Sequence, residues 1–398
     1  MYAFRKPFTA AEYDTVPKLW GLDYKIVLVL AQVLGYTLSK FLGIKYISEI
    51  SAQRRVLAII VLIVIAELAL LGFALTPSPY NIVFLFANGL PLGMIWGLVV
   101  SFVEGRRSTE FLAACLCSSF IISSGVVKSV GLKTMTHWGV TQFWMPFVTG
   151  ALFFLPLLFF VWMLSQIPQP DEKDIEHRTE RVPMSAADRW RYLRQLAFGL
   201  GILIFLHMML TAYRDVRDQF GVDVLRDFGI AGDDASDYLG YAEIPTGLAV
   251  IAMLGLTVLI VDNRRAFAVI HLLMLFGIAL LGVSTAMMQA NLISIRLWFM
   301  LIGTGLYFAY VPFHSILFER LIAVFRDKAT IGYLIYLADA TGYLASVGIL
   351  IYKNFGAANL SWRQFFLAGT YGLTVVGGIV IVVSSRYFHW KSNQVDRN

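Results

Sequence analysis

Residues 89–106 read GLPLGMIWGLVVSFVEGR, and residues 303–320 read GTGLYFAYVPFHSILFER. Both open on closely spaced glycines, continue through an apolar run and close on Glu-Gly-Arg or Glu-Arg. The correspondence extends along the chain in order. Tyr2-Ala3-Phe4-Arg5 matches Thr211-Ala212-Tyr213-Arg214, and Arg54–Arg55 matches Arg264–Arg265. Matches in register define an internal repeat. They predict two pseudo-symmetric six-helix halves related about an axis normal to a membrane, with a site at the midplane between them. Gly89, Gly93 and Gly97 form small-xxx-small steps, which favour close helix packing.

The composition agrees. Of 398 residues, 58% are hydrophobic and 15% charged, and the mean hydropathy is +0.70. A soluble globule carries about 25% charged residues. A soluble enzyme, a disordered chain and a secreted disulfide scaffold are all excluded, and the expected class is an all-α polytopic membrane protein. Runs long enough to span a bilayer fall at 24–46, 56–75, 80–103, 110–132, 142–165, 195–214, 237–261, 266–288, 293–319, 329–352 and 363–385. The repeat asks for six helices per half, so residues 1–11 are expected to be the end of a first helix that begins upstream. Residues 166–194, with Pro168, Pro170 and charges of both signs, read as a polar linker. The expected division is 1–165, a transmembrane half; 166–194, a cytoplasmic linker; and 195–398, the second half.

The formal charge is +6. Arg54–Arg55, Arg106–Arg107, the linker, Arg264–Arg265, the 320–328 stretch and the tail from 386 all fall on one side, while Asp223, Asp227, Asp233, Asp234 and Asp237 fall on the other. The basic side is expected to be cytoplasmic, which places the C-terminus inside the cell and the protein in the inner (plasma) membrane. No basic run interleaves with stacking aromatics, so nucleic acid is not an expected partner. Cys115 and Cys117 lie two apart on a helix and point away from each other, so they neither bond nor share a metal. No His-Glu-x-x-His pair, nucleophile elbow or nucleotide loop is present, and neither a cofactor nor enzymatic activity is expected. The expected partners are a small anion and membrane lipid, with the protein a monomer.

Polar residues inside spans mark pathways. Gln32, Tyr36 and Lys40 form one stripe, and Cys117, Ser124 and Lys128 a second. His207, Thr211, Arg214 and Asp218 align on one face; Tyr307, Tyr310 and His314 on another; Tyr336, Asp339, Tyr343 and Ser346 on a third. Glu243 precedes Pro245. Such stripes should face water, because polar groups facing hydrocarbon go unpaired. Arg5, Lys40, Lys128 and Arg214 oppose Glu243 and Asp339, with Asp215 and Asp218 expected near the mouth on the acidic side. The excess of cations implies an anionic cargo. Lys40, Lys128, Tyr36, Ser124, His207, Tyr310 and Tyr336 are candidates to contact it, with Arg5 and Arg214. Asp218, Glu243, His314 and Asp339 are candidates for coupling or gating. Glu67 has no evident partner.

YAFRKPF (2–8), GYTLSKFLG (35–43), YAEIP (241–245) and IGYLIYLADATGYLAS (331–346) resemble the first, second, eighth and eleventh helices of the organophosphate:phosphate antiporters of the major facilitator superfamily. The resemblance implies that Arg5 and Arg214 hold a substrate phosphate from opposite halves, with Lys40 beside it. The family's histidine on the fifth helix has no counterpart in SSFIISSGVVKS (118–129), where Ser124 and Lys128 are the nearest polar residues. Its acidic residue on the eighth helix falls at Gly240, one turn before Glu243. The expected function is therefore secondary transport of a small anionic, phosphorylated metabolite by alternating access, in exchange for phosphate. Proton-coupled carboxylate transport and a transporter-like sensor of a phosphorylated ligand are the alternatives.

Overall fold

The structure, a computed structural model, describes residues 1–50, 52–103, 109–168, 194, 196–325 and 331–395. The expected linker and Arg106–Arg107 fall almost wholly outside these residues, as does the Tyr336 side chain. The first half contains α1 (Tyr24–Glu49), α2 (Ala52–Leu75), α3 (Ile82–Val103), α4 (Thr109–Trp138) and α5 (Met145–Ser165). The second contains α6 (Ala197–Arg226), α7 (Gly232–Val258), α8 (Asn263–Gln289), α9 (Ile295–Tyr310), α10 (Pro312–Ser315), α11 (Leu317–Phe325), α12 (Ile331–Ile351), α13 (Trp362–Gly372) and α14 (Gly378–Val395). Among the described residues, nine helices are long and apolar enough to cross a membrane. Large apolar side chains such as Leu57, Leu155, Leu248 and Leu272 are exposed on the outside of the bundle, while polar and charged side chains are buried within it. That inside-out partition suits a lipid solvent, and the chain is a multi-pass membrane protein.

Helix pairing follows from where side chains are missing. A Cβ on Gly35 would collide with the Phe86 carbonyl, and one on Gly89 with the Gln32 carbonyl, so α1 and α3 touch backbone to backbone. Gly93 extends the seam against Ser39. In the second half, Gly277 and Gly305 bring α8 and α9 together in the same way. Helices pair across the halves chiefly through α4 with α7 and α1 with α12. At Gly125 of α4 an added Cβ would strike Leu239 and Glu243 of α7.

Three expectations need correction. Residues 1–11 are not the end of an α-helix: they form two 3₁₀ turns, Tyr2–Phe4 and Pro7–Ala10. Pro7 has no N–H to continue a helical ladder, and the segment packs among α2, α4 and α5 with Phe4 and Phe8 buried. The 293–319 run is three helices, because Pro312 and the turn at Ile316 end α9 and α10 early. The 363–385 run carries a π-helical turn at Leu373–Gly377 and continues to Val395.

The halves are tied together on the acidic side by ion pairs. Lys25 of α1 meets Asp223 of α6 at 2.6 Å, and Arg226 of α6 meets Glu12 at 2.8 Å. Lys133 of α4 reaches Asp237 of α7 at 3.5 Å.

Candidate functional site

Arg5, Lys6, Lys40, Lys128, Arg214 and Arg217 are all buried, as are Asp215, Asp218, Glu243 and Asp339. Six cations against four carboxylates leave a formal excess of two positive charges in this set. The pairing within this set is specific. Asp218 of α6 receives Lys6 at 2.8 Å, Lys128 at 3.2 Å and the Ser124 hydroxyl at 2.6 Å. Lys40 of α1 meets Asp339 of α12 at 3.2 Å, and Arg217 meets Glu243 at 2.7 Å. Gly303 leaves the room that the Arg217 guanidinium fills. Arg214 bonds Asp215 at 2.7 Å and the Tyr310 hydroxyl.

Arg5 differs from the rest. Its Nε and Nη2 are buried and find no hydrogen-bond partner among the described residues, and no carboxylate there pairs with it. Its guanidinium lies over the Tyr36 ring, 3.7 Å from the centroid. That contact is a real attraction, worth about 2 kcal/mol when desolvated. It falls short of the several kcal/mol that burying an unpaired ion costs. The Arg214 guanidinium lies over the Tyr310 ring at 4.5 Å, and both guanidinium carbons are 5.9 Å from the centroid of Tyr343. The repeat pair YAFR and TAYR thus brings its two arginines to opposite edges of one aromatic wall.

Beside Arg214 is a cavity of about 40 Å³, room for roughly three waters by the usual threshold for one; Arg5 is related to it through the rings of Tyr36 and Tyr343. Tyr2, Tyr36, Lys40, Trp96, Phe120, Arg214, Tyr310, His314, Asp339 and Tyr343 line it, with contributions from both halves. A larger cavity of about 510 Å³ between α6, α12 and α13 is walled by Phe205, Met208, Ile349, Phe365 and similar residues, without a charged group. Chemistry places the site in the smaller one.

A second cluster shares its wall. The imidazoles of His207 and His314 face each other with their Nε2 atoms 3.2 Å apart, and Asp339 Oδ1 is 3.6 Å from His314 Nε2. Gly342, one turn after Asp339, admits the Thr211 side chain and lets α12 lie close to α6. His314 lies in the short α10 that follows α9, with Val311 at the junction still in helical conformation.

Most sequence-predicted residues therefore meet in one region: Tyr36, Lys40, Arg214, Tyr310, His314 and Asp339 line the cavity, Arg5 and His207 lie against its lining residues Tyr36 and His314, and Ser124, Lys128 and Asp218 form a second buried network with Lys6. Two placements are corrected. Asp215 and Asp218 do not face an open mouth but are buried at 2% and 6% exposure, held by the cations beside them. Arg214 pairs with Asp215, its chain neighbour, because Asp218 is already claimed by Lys6 and Lys128. Glu243 is withdrawn from the cavity and bound to Arg217. Lys6, Arg217 and Tyr343 were missed as site residues. The signal for Arg217 was available, since Arg214-Asp215-Val216-Arg217-Asp218 packs five residues with four charges into an apolar span.

Residues 7–391 match a family described as a family of unknown function, DUF5690. The chain belongs to the DUF5690 family. No curated protein matches this DUF5690 chain. Among solved structures, a D-xylose-proton symporter is similar at a TM-score of 0.60 and 15% identity, over 96% of this chain and 94% of that one. At that identity the likeness concerns the fold, and the DUF5690 chain has the major-facilitator arrangement of two pseudo-symmetric helical halves. Neither match bears on the organophosphate carriers, so that finer resemblance rests on the site residues alone.

Proposed function

We propose that this protein is a secondary transporter that carries a small anion, best a phosphate monoester or phosphate itself, by alternating access between its two halves. The observation that carries this reading is the buried surplus of two positive charges in this cluster: Arg214 lines the cavity, and Arg5, which pairs with no carboxylate among the described residues, lies one ring away over Tyr36. A dianion neutralises that surplus. Each guanidinium offers parallel donors in a fixed plane, which suits phosphate and carboxylate oxygens.

In this reading the anion draws Arg5 and Arg214 together and so favours closure around it. Lys40–Asp339 and Lys6–Asp218–Lys128 link the halves when the anion is absent and act as gates. Exchange follows because a carrier without its anion keeps its surplus of buried cations, Arg5 among them, unbalanced and closes poorly. The basic side faces the cytoplasm of a plasma membrane. The ion pairs at Lys25, Arg226 and Lys133 close the opposite entrance and must part in the outward-open state.

Proton coupling is the second reading, supported by the fact that Asp218 and Asp339 each bind cations of the other half. Protonating either carboxylate would release the gate without any anion. A sensor would show saturable binding with no flux.

A thermal-shift panel of inorganic phosphate, phosphorylated metabolites, dicarboxylates and neutral sugars on purified protein tests the reading. A ligand at a hundred times its Kd adds about 2.7 kcal/mol of apparent stability. Phosphorylated compounds are expected to raise Tm and neutral sugars to leave it unchanged. Stabilisation by neutral sugars alone would refute an anion site.

A further inference from the structure

The geometry points to a divalent transition-metal site, of the class that takes Zn²⁺ or Co²⁺, formed by His207 of α6, His314 of α10 and Asp339 of α12. The argument begins with a tautomer. The Thr211 hydroxyl donates to the His207 backbone carbonyl at 2.7 Å, so its hydrogen is spent. The same oxygen is 3.3 Å from His207 Nδ1, and for that contact to bond, the ring must donate. His207 Nε2 is then a bare lone pair. It is directed at His314 Nε2, 3.2 Å away, and the anionic Asp339 Oδ1 approaches the same atom at 3.6 Å.

Two imidazole nitrogens and a carboxylate oxygen, all within 4.8 Å of one another, thus converge on one point. For tetrahedral zinc with ligands at about 2.0–2.1 Å, neighbouring donor atoms are roughly 3.3 Å apart; two of the three pairs here, at 3.2 and 3.6 Å, are near that spacing, and the third lies within 4.8 Å, so a metal would draw His207 and Asp339 closer. The surroundings fit as well. A ligating histidine usually donates its other ring N–H to an acceptor, as Nδ1 of His207 does to Thr211, and a ligating carboxylate is itself hydrogen-bonded, as Asp339 Oδ2 is by Lys40 at 3.2 Å. Three helices supply the three donors, and two of them, His314 and Asp339, also line the cavity with Arg214 and Tyr310. The other charged groups facing the cluster are Lys40 and Arg214, each already held by a carboxylate. A metal here adds positive charge to the wall of the anion site; only that last consequence rests on the carrier reading.

The test is metal binding by the intact protein in detergent, which needs no transport, so failure here and failure of the anion site are separate results. After chelator treatment, wild type is expected to take up one equivalent of Zn²⁺ per chain, and Co²⁺ should give the intense d–d absorption of a tetrahedral complex. His207→Gln and His314→Gln should abolish both signals, whereas His271→Gln, a buried histidine bound to Phe267 and Ser384, should not. His314→Cys should keep binding and add a thiolate-to-Co²⁺ charge-transfer band, a rescue that a merely structural histidine would not show. Thr211→Val should weaken Zn²⁺ about tenfold to a hundredfold, as loss of an outer-shell partner does. No saturable uptake by wild type, or uptake unchanged in both glutamine variants, overturns the site and leaves a hydrogen-bonded histidine pair.

Discussion

At the scale of the residue, Arg5 and Arg214 illustrate how far pattern reading reaches. Both were legible because arginine inside an apolar span is costly and because the repeat set one against the other. Their partners were not, since which carboxylate a cation reaches depends on helix rotation and depth rather than spacing. Asp218 lies four residues from Arg214 on the same helix face, yet Lys6 and Lys128 hold it. Two predictions belong here. Arg5→Lys and Arg214→Lys keep the charge but lose the paired donors, and each should weaken anion affinity tenfold to a hundredfold, about 1.5–3 kcal/mol. Binding titrations check this. Asp218→Asn leaves Lys6 and Lys128 buried with no anion between them; breaking such a pair costs about 3–5 kcal/mol, read as a large fall in Tm.

At the scale of the element, span existence was well marked by hydropathy, whereas breaks were not. A proline signals a possible end, but Pro91, Pro156 and Pro245 all lie inside continuous helices, while Pro312 ends one. The outcome is set by whether packing supplies something better than the lost hydrogen bond. The glycine steps at 89 and 93 were read correctly as packing, because only their lack of Cβ lets α3 lie on the α1 backbone. Gly89→Ala should therefore destabilise by about 1–3 kcal/mol through overpacking. Gly348→Ala, where the added methyl meets open space, should be neutral or stabilising by up to ~1 kcal/mol. Chemical or thermal unfolding in detergent distinguishes them. Glu67 stays as the sequence left it: both its oxygens are buried and unbonded against Gly150, and nothing in the structure explains it.

At the scale of the whole molecule, the repeat predicted the architecture and the fold match agrees with it, since pseudo-symmetry leaves its trace in chain order. The conformational state was not legible, because it depends on which side's contacts are made. Here the acidic side is pinned by Lys25–Asp223, Arg226–Glu12 and Lys133–Asp237. If rocking is the mechanism, joining α4 to α7 there must stop it. In a Cys115→Ala, Cys117→Ala background, Lys133→Cys with Asp237→Cys, linked by a short cleavable thiol cross-linker, should abolish exchange in proteoliposomes, and cleavage should restore it. Undiminished exchange in the linked protein would exclude that motion.

The most direct test of the shared anion site is equilibrium binding of radiolabelled inorganic phosphate to purified wild type, Arg5→Lys and Arg214→Lys. Saturable binding to wild type, weakened at least tenfold by either substitution alone, is the predicted result. Phosphate binding that neither substitution alters would contradict the convergence of the two halves on one anion.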